Sequence, residues 1–126
     1  MRLFFTVLIF FLNSALGLTQ EAEFYLKEHT FKFPKTKEGE ILEHTFVFEN
    51  RGELPLIIND YAVACHCTKV EYSDMPIMPG QKGEVKIVFN SEGKYYHQDR
   101  FVFLHTNSKK KKEKLRFKVF VIPKDE

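Results

Sequence analysis

Three stretches of this 126-residue chain alternate inward and outward side chains with a period of two, and that pattern restricts the fold more than any other feature. Leu42, His44, Phe46 and Phe48 alternate with Glu43, Thr45, Val47 and Glu49. Val85, Ile87 and Phe89 alternate with Glu84, Lys86 and Val88, and Leu115, Phe117, Val119 and Val121 with Arg116, Lys118, Phe120 and Ile122. Successive side chains of a strand point to opposite faces, so each stretch predicts a strand with one core face. Phe46, Phe48, Ile87 and Phe117 are thereby assigned to the core. Shorter strands are expected at residues 24–26, 30–33, 54–58 and 61–64. Residues 100–106 also read as a strand, but Phe101 and Phe103 compete with Val102 and Leu104 for the inner face. Beyond the N-terminal segment no window of about 11 residues carries a helical stripe.

Turn chemistry separates these runs at short intervals: Lys37-Glu38-Gly39, Asn50-Arg51-Gly52, Met78-Pro79-Gly80-Gln81, Ser91-Glu92-Gly93 and Asn107-Ser108. Pro79-Gly80 suits the centre of a type II turn, because Pro presets the first φ and Gly accepts a positive second φ. Seven or eight short strands at this spacing predict an all-β protein, an antiparallel β-sandwich. It is not of the antibody type. The sequence has no Trp, and its two Cys are separated by one residue, too close to join distant strands.

The first residues follow a different logic. Arg2 precedes ten nearly all-apolar residues, 3–12, and then the small-residue pattern Ala15-Leu16-Gly17. This is the layout of a secretory signal peptide, residues 1–17, cleaved after Gly17. A spanning helix needs roughly 20 apolar residues, about twice this run. The mature chain, residues 18–126, is expected to be a single domain without a membrane span, exported to an oxidising periplasmic or extracellular compartment. Ten Phe and five Tyr beyond residue 17 argue against disorder. A formal net charge of +2 creates no strong field that would select nucleic acid.

Chemistry concentrates at Cys65-His66-Cys67, for which three readings stand. The cysteines are structural, as small apolar side chains or a local disulfide. Alternatively they cycle between dithiol and disulfide; here the usual Cys-x-x-Cys at a helix start, which depresses a thiol pKa, is missing. Or Cys65, His66 and Cys67 ligate a soft metal, Cu(I) or Zn(II), with a fourth zinc ligand drawn from His97 or His105 on a distant strand. His44, on the inner face beside Phe46 and Phe48, reads as a sandwich-edge histidine. No Ser lies in a nucleophile elbow, and neither a phosphate-cradling loop nor a general acid–base pair stands out. No catalytic residue and no cofactor is therefore assigned. Lys109, Lys110, Lys111 and Lys112 read as a solvated hairpin tip, or as a contact for an anionic partner such as membrane lipid or a glycan sulfate.

The motifs taken together resemble a known family. They are His44-x-Phe46-x-Phe48-x-Asn50-x-Gly52, Pro55-Leu56-x-Ile58, Cys65-His66-Cys67-Thr68, Pro76-Ile77-x-Pro79-Gly80, Gly83-x-Val85-x-Ile87-x-Phe89 and Thr106-Asn107. Their order and spacing are similar to the DUF1573 family of exported bacterial proteins. The resemblance implies an immunoglobulin-like sandwich related to the ASH, MSP and PapD-like groups, in the periplasm or outside the cell. It brings no established reaction. His66 stands where the family usually has Gly; if that position takes a positive φ, His66 must adopt it or the loop must differ. The expected function is a non-catalytic binding or structural module of the envelope that pairs a strand edge or loop end with another exported protein. The alternative is an envelope metal- or thiol-handling protein that uses Cys65 and Cys67.

Overall fold

Side-chain alternation sorts the chain into two sheets. The structure, a computed structural model, describes residues 20–125; the expected signal segment, residues 1–17, lies outside them. Among the described residues the strands are β1 (Phe24–Tyr25), β2 (Thr30–Lys32), β3 (Thr36–Lys37), β4 (Ile41–Asn50), β5 (Ile58–Val63), β6 (Thr68–Tyr72), β7 (Lys82–Asn90), β8 (Tyr96–Thr106) and β9 (Lys112–Ile122). One sheet has the order β1-β4-β7-β6 and the other β2-β9-β8-β5, with β3 continuing alongside β9. Phe46, Phe48, Val85, Ile87 and Phe89 from the first sheet meet Val102, Leu104, Leu115, Phe117 and Val121 from the second, all buried. The four aromatic and aliphatic residues assigned to the core by alternation are among them or beside them. The fold is the expected all-β sandwich.

Three details differ from the expectation. First, the strand expected at 54–58 does not form: residues 54–57 are loop with a single bridge from Leu56 to Ile77, and Ile58 instead begins β5, which takes in most of the strand expected at 61–64 and whose register against β8 shifts between Ile58 and Asp60. The shift restores the inward direction of Tyr61 and Val63 after two exposed polar residues, Asn59 and Asp60. Second, the count rises to nine because β3 has two residues and β6, Thr68–Tyr72, carries little apolar alternation; β6 is placed by Val70 turning inward between Lys69 and Glu71. Third, the sandwich is mixed. β2 and β3 run parallel to β9, while every other pairing of named strands is antiparallel. After pairing with β4 in the first sheet, the chain crosses at residues 26–29 and joins the second sheet at its edge, alongside β9.

The competition within β8 resolves in favour of the aliphatics. Val102 and Leu104 are fully buried. Phe101 and Phe103 lie on the outer face under the cations of β9, with Lys114 Nζ 4.2 Å and Lys112 Nζ 4.3 Å from their ring centres. Long basic side chains cover aromatic surface with their stems while keeping the charge in water. The Pro79-Gly80 turn forms as its residues require: Gly80 has φ 81°, and Gln81 N donates to Met78 O at 2.9 Å.

Candidate functional site

One end of the sandwich is held by asparagine side chains. Asn50, at the end of β4, is fully buried. Its Oδ1 accepts from Gly52 N at 2.9 Å and Glu23 N at 3.2 Å, and its Nδ2 donates to Leu54 O at 2.8 Å and Ile77 O at 2.9 Å. One amide thus ties the N-terminal strand to two loops. Gly52 is required at its position because a Cβ there would collide with the backbone of Glu21, Ala22 and Glu23. Asn107 does similar work on the second sheet. It donates to Pro55 O at 2.9 Å and accepts from Ile57 N at 2.8 Å. Leu56 and Ile77 exchange two backbone hydrogen bonds of 2.8 Å, so the 51–57 and 73–81 loops lie side by side.

These pinned loops carry apolar side chains outward. Leu54, Met75 and Met78 are 41%, 70% and 47% exposed. The asparagine frame fixes the backbone that bears Leu54 and Met78, so their exposure belongs to a braced surface. In the sequence Asn50-Arg51-Gly52 is a turn and the end of a family motif, and nothing there marks the methionines. The signal available was an Asn-x-Gly directly after an alternating strand, which marks a side chain that bonds its own loop.

The Lys run lies at this same end but does not behave as one unit. Lys109, Lys110 and Lys111 form the hairpin after Thr106-Asn107-Ser108, of which Thr106 and Ser108 are buried, and Lys111 takes a positive φ of 60°. Lys112 already belongs to β9, with its ammonium over Phe103. Next to it Glu113 points inward and is buried. Burial pushes its carboxyl above the usual range, opposed by Lys110 and by the Ser108 hydroxyl, which donates to Glu113 Oε1 at 3.3 Å.

The opposite end carries Cys65, His66 and Cys67 in the crossover from β5 to β6. Cys65 and Cys67 form a disulfide, with Cα atoms 5.1 Å apart. Thr68 N donates to Cys65 O at 3.2 Å and Asn90 N to Cys67 O at 2.9 Å, which closes the loop onto β7. His66 is exposed, and among the described residues the non-glycine positions with positive φ are Tyr96 and Lys111. The loop therefore accommodates His66 without the left-handed conformation that a Gly at this position would permit. Cys67 packs against the core. A shallow cleft of about 290 Å³ lies beside the disulfide, lined by Ile41, His66, Asn90 and Lys94 among others. With both sulfurs bonded to each other, neither is available here as a thiolate ligand. Among the described residues no three His, Cys, Asp or Glu side chains converge as a metal-ligand set. His97 lies against Phe120 at 4.9 Å, and His105 is an outward residue of β8.

Comparison with known proteins settles what this sandwich is. The model for a family described as "Protein of unknown function (DUF1573)" matches residues 24–121. The chain belongs to the DUF1573 family. Among curated proteins none matches the sequence. Among solved structures, a protein of unknown function from Porphyromonas gingivalis W83 superposes with a TM-score of 0.71 at 14% identity, over 84% of this chain and 50% of that one. The DUF1573 chain thus spans about half of that protein's length. An ASH/PapD-like domain of human CEP192 gives a TM-score of 0.58 at 15% identity, covering 82% of this chain and 86% of that one. The YadV chaperone gives 0.51 at 12% identity, covering 82% and 52%. At these identities the likeness establishes the immunoglobulin-like, PapD-like fold of this DUF1573 protein.

Proposed function

We propose that this chain is an exported, non-catalytic binding module of the cell envelope that docks another exported protein through its asparagine-braced end. The observation that carries the reading is the outward display of Leu54, Met75 and Met78 on loops pinned by Asn50, Asn107 and the Leu56–Ile77 pairing. Loops held on a rigid scaffold are the usual carriers of binding residues. Methionine adapts its shape to a partner surface and gains from burial there. Residues 1–17 supply the route of export.

Photo-crosslinking in the source cell tests this. A photoreactive residue at position 78 is expected to give a discrete adduct with another exported protein. The same probe at Val47, on the outer face of the first sheet, gives none. Leu54→Asp removes the position-78 adduct while leaving the melting temperature unchanged. Equal adducts from both positions, or an adduct indifferent to Leu54→Asp, would overturn the proposal.

A further inference from the structure

The near-zero net charge of the chain hides a division between its two faces. On β9 the inward residues are Glu113, Leu115, Phe117, Val119 and Val121, so Lys112, Lys114, Arg116 and Lys118 share the outer face. Lys32 of β2 stands in register with Lys118 and points to the same side. Lys37 of β3, opposite the outward Ile122, adds a sixth cation to this face of the second sheet. The outward acids of that face are Asp99 on β8 and Asp60 on β5, and both are engaged. Asp99 receives Arg116 in a two-pronged pair, Nε to Oδ1 at 2.8 Å with the second nitrogen on Oδ2. Asp60 Oδ1 accepts its neighbour's amide, Tyr61 N, at 2.7 Å. The outer face of the other sheet is mixed: Glu43, Glu49, Glu71 and Glu84 are interspersed with Lys69, Lys82 and Lys86. Lys112, the last of the four lysines seen in the sequence, is one end of this stripe, and residues 109–111 lie in the turn beyond it.

Three of the four cations of β9 already rest on aromatic rings of β8. Lys112 stands over Phe103, and Lys114 and Arg116 both stand over Phe101, the latter with its guanidinium 5.0 Å from the ring centre. Side chains already positioned lose less freedom on binding. Their spacing is set by the strand. Alternate residues recur every ~6.7 Å, so four cations form a file about 20 Å long. An extended peptide with Asp or Glu at every second position repeats its carboxylates at the same ~6.7 Å. A membrane offers its anions in a plane, whereas these cations stand in single file with Asp99 and Asp60 along one flank.

From this match we infer that the outer face of β9 binds an extended acidic segment of a partner protein, with carboxylates at alternate positions lying along Lys112, Lys114 and Lys118 and with Arg116 shared between the segment and Asp99. The Arg116–Asp99 pair already shows a carboxylate held in the two-pronged geometry that guanidinium favours. The inference does not depend on the exposed Leu54, Met75 and Met78 of the asparagine-braced end, although the Lys112 end of the file lies toward that end.

Binding of the purified mature chain to two labelled peptides of identical composition tests it. In one, Glu and Thr alternate; in the other, all Glu precede all Thr. Fluorescence anisotropy is expected to show the alternating peptide binding about tenfold more tightly, with affinity falling as salt rises. Lys114→Met with Lys118→Met keeps the apolar stems and should weaken the alternating peptide alone. Met substitutions at Lys82 and Lys86 on the opposite sheet should change nothing. Equal affinity for the two peptides overturns the register argument. Tighter binding of heparin, an oligonucleotide or anionic phospholipid vesicles, undisplaced by the alternating peptide, overturns the choice of partner.

Discussion

Phe48 and Gly83 face each other across β4 and β7, and the ring of Phe48 fills the space that a side chain at 83 would need. A methyl group built on Gly83 would lie 2.9 and 3.0 Å from two further ring carbons besides Cζ. The ring cannot retreat freely, because Phe24 stacks against it with centres 4.5 Å apart. β1, β4 and β7 are thus joined through one aromatic side chain lying on bare backbone.

Gly83→Ala is therefore expected to destabilise the fold by about 2 kcal/mol, the usual scale of overpacking. Phe48→Ala should cost roughly 3–5 kcal/mol through the cavity it leaves. In the Phe48→Ala background the added methyl at 83 should cost little or become favourable. Urea midpoints of the two single variants and the double variant measure the coupling. Additive costs would show that the ring and the glycine do not constrain each other.

Asn50→Asp tests the asparagine frame with almost no change in shape. The carboxylate can still accept from Gly52 N and Glu23 N, but it opposes the carbonyls of Leu54 and Ile77 that now receive the amide. The expected loss at neutral pH is about 3 kcal/mol, the scale for buried groups left unpaired. Protonation restores one donor, so the folded-state pKa of this carboxyl is raised. The variant should regain part of its stability as the pH falls through that value. Denaturant curves at pH ~4 and ~7 check the direction.

His44 predicts a pH dependence of its own. It stacks on Phe31 with ring centres 3.5 Å apart and meets Phe46 edge-on at 4.7 Å. Partial burial holds its imidazole below the ordinary value. The unfolded chain then binds the proton first, at about pH 6.5. The contribution of neutral His44 is fully present above that value and is lost as the pH falls toward the lower folded one. His44→Gln should flatten the stability profile of the wild type below pH ~6.5. An unchanged slope would mean that His44 charges as readily folded as unfolded.

The disulfide closes a loop of one intervening residue, so it constrains the unfolded chain very little. Replacing Cys65 and Cys67 together by Ser should cost roughly 1–2 kcal/mol, mainly through lost packing at Cys67. Reductant should lower the melting temperature of the wild type toward that of the variant, and chelator should move neither. A chelator effect confined to the wild type would return Cys65, His66 and Cys67 to the status of metal ligands.

The sequence displayed the sandwich wherever a strand was long enough to repeat. Leu42 to Phe48, Val85 to Phe89 and Leu115 to Val121 show their inner faces by alternation alone. β8 did not, because both of its faces are apolar and the cations that cover Phe101 and Phe103 come from β9. The parallel course of β2 and β3 was equally hidden, since two or three residues carry no sign of direction. The braced end was half visible. Asn50 and Gly52 stood in the family motif as a turn, but the partners that give the amide its role lie 27 residues away on either side, at Glu23 and Ile77. The stripe on β9 was written as unremarked polar alternates of a core strand, and only the neighbouring strands turn it into a surface.

The pairing of β2 and β3 with β9 also sets the order of events when the chain folds. β9 supplies Leu115, Phe117, Val119 and Val121 to the core and is the neighbour to which both early strands pair. Until Lys112–Ile122 emerges, residues 30–37 have no sheet to join and the inner face of β8 has lost its flank. Closure of so long a loop makes folding slow compared with local structure formation. A chain delivered N-terminus first consequently completes its first sheet without β9 and its second only once β9 has emerged.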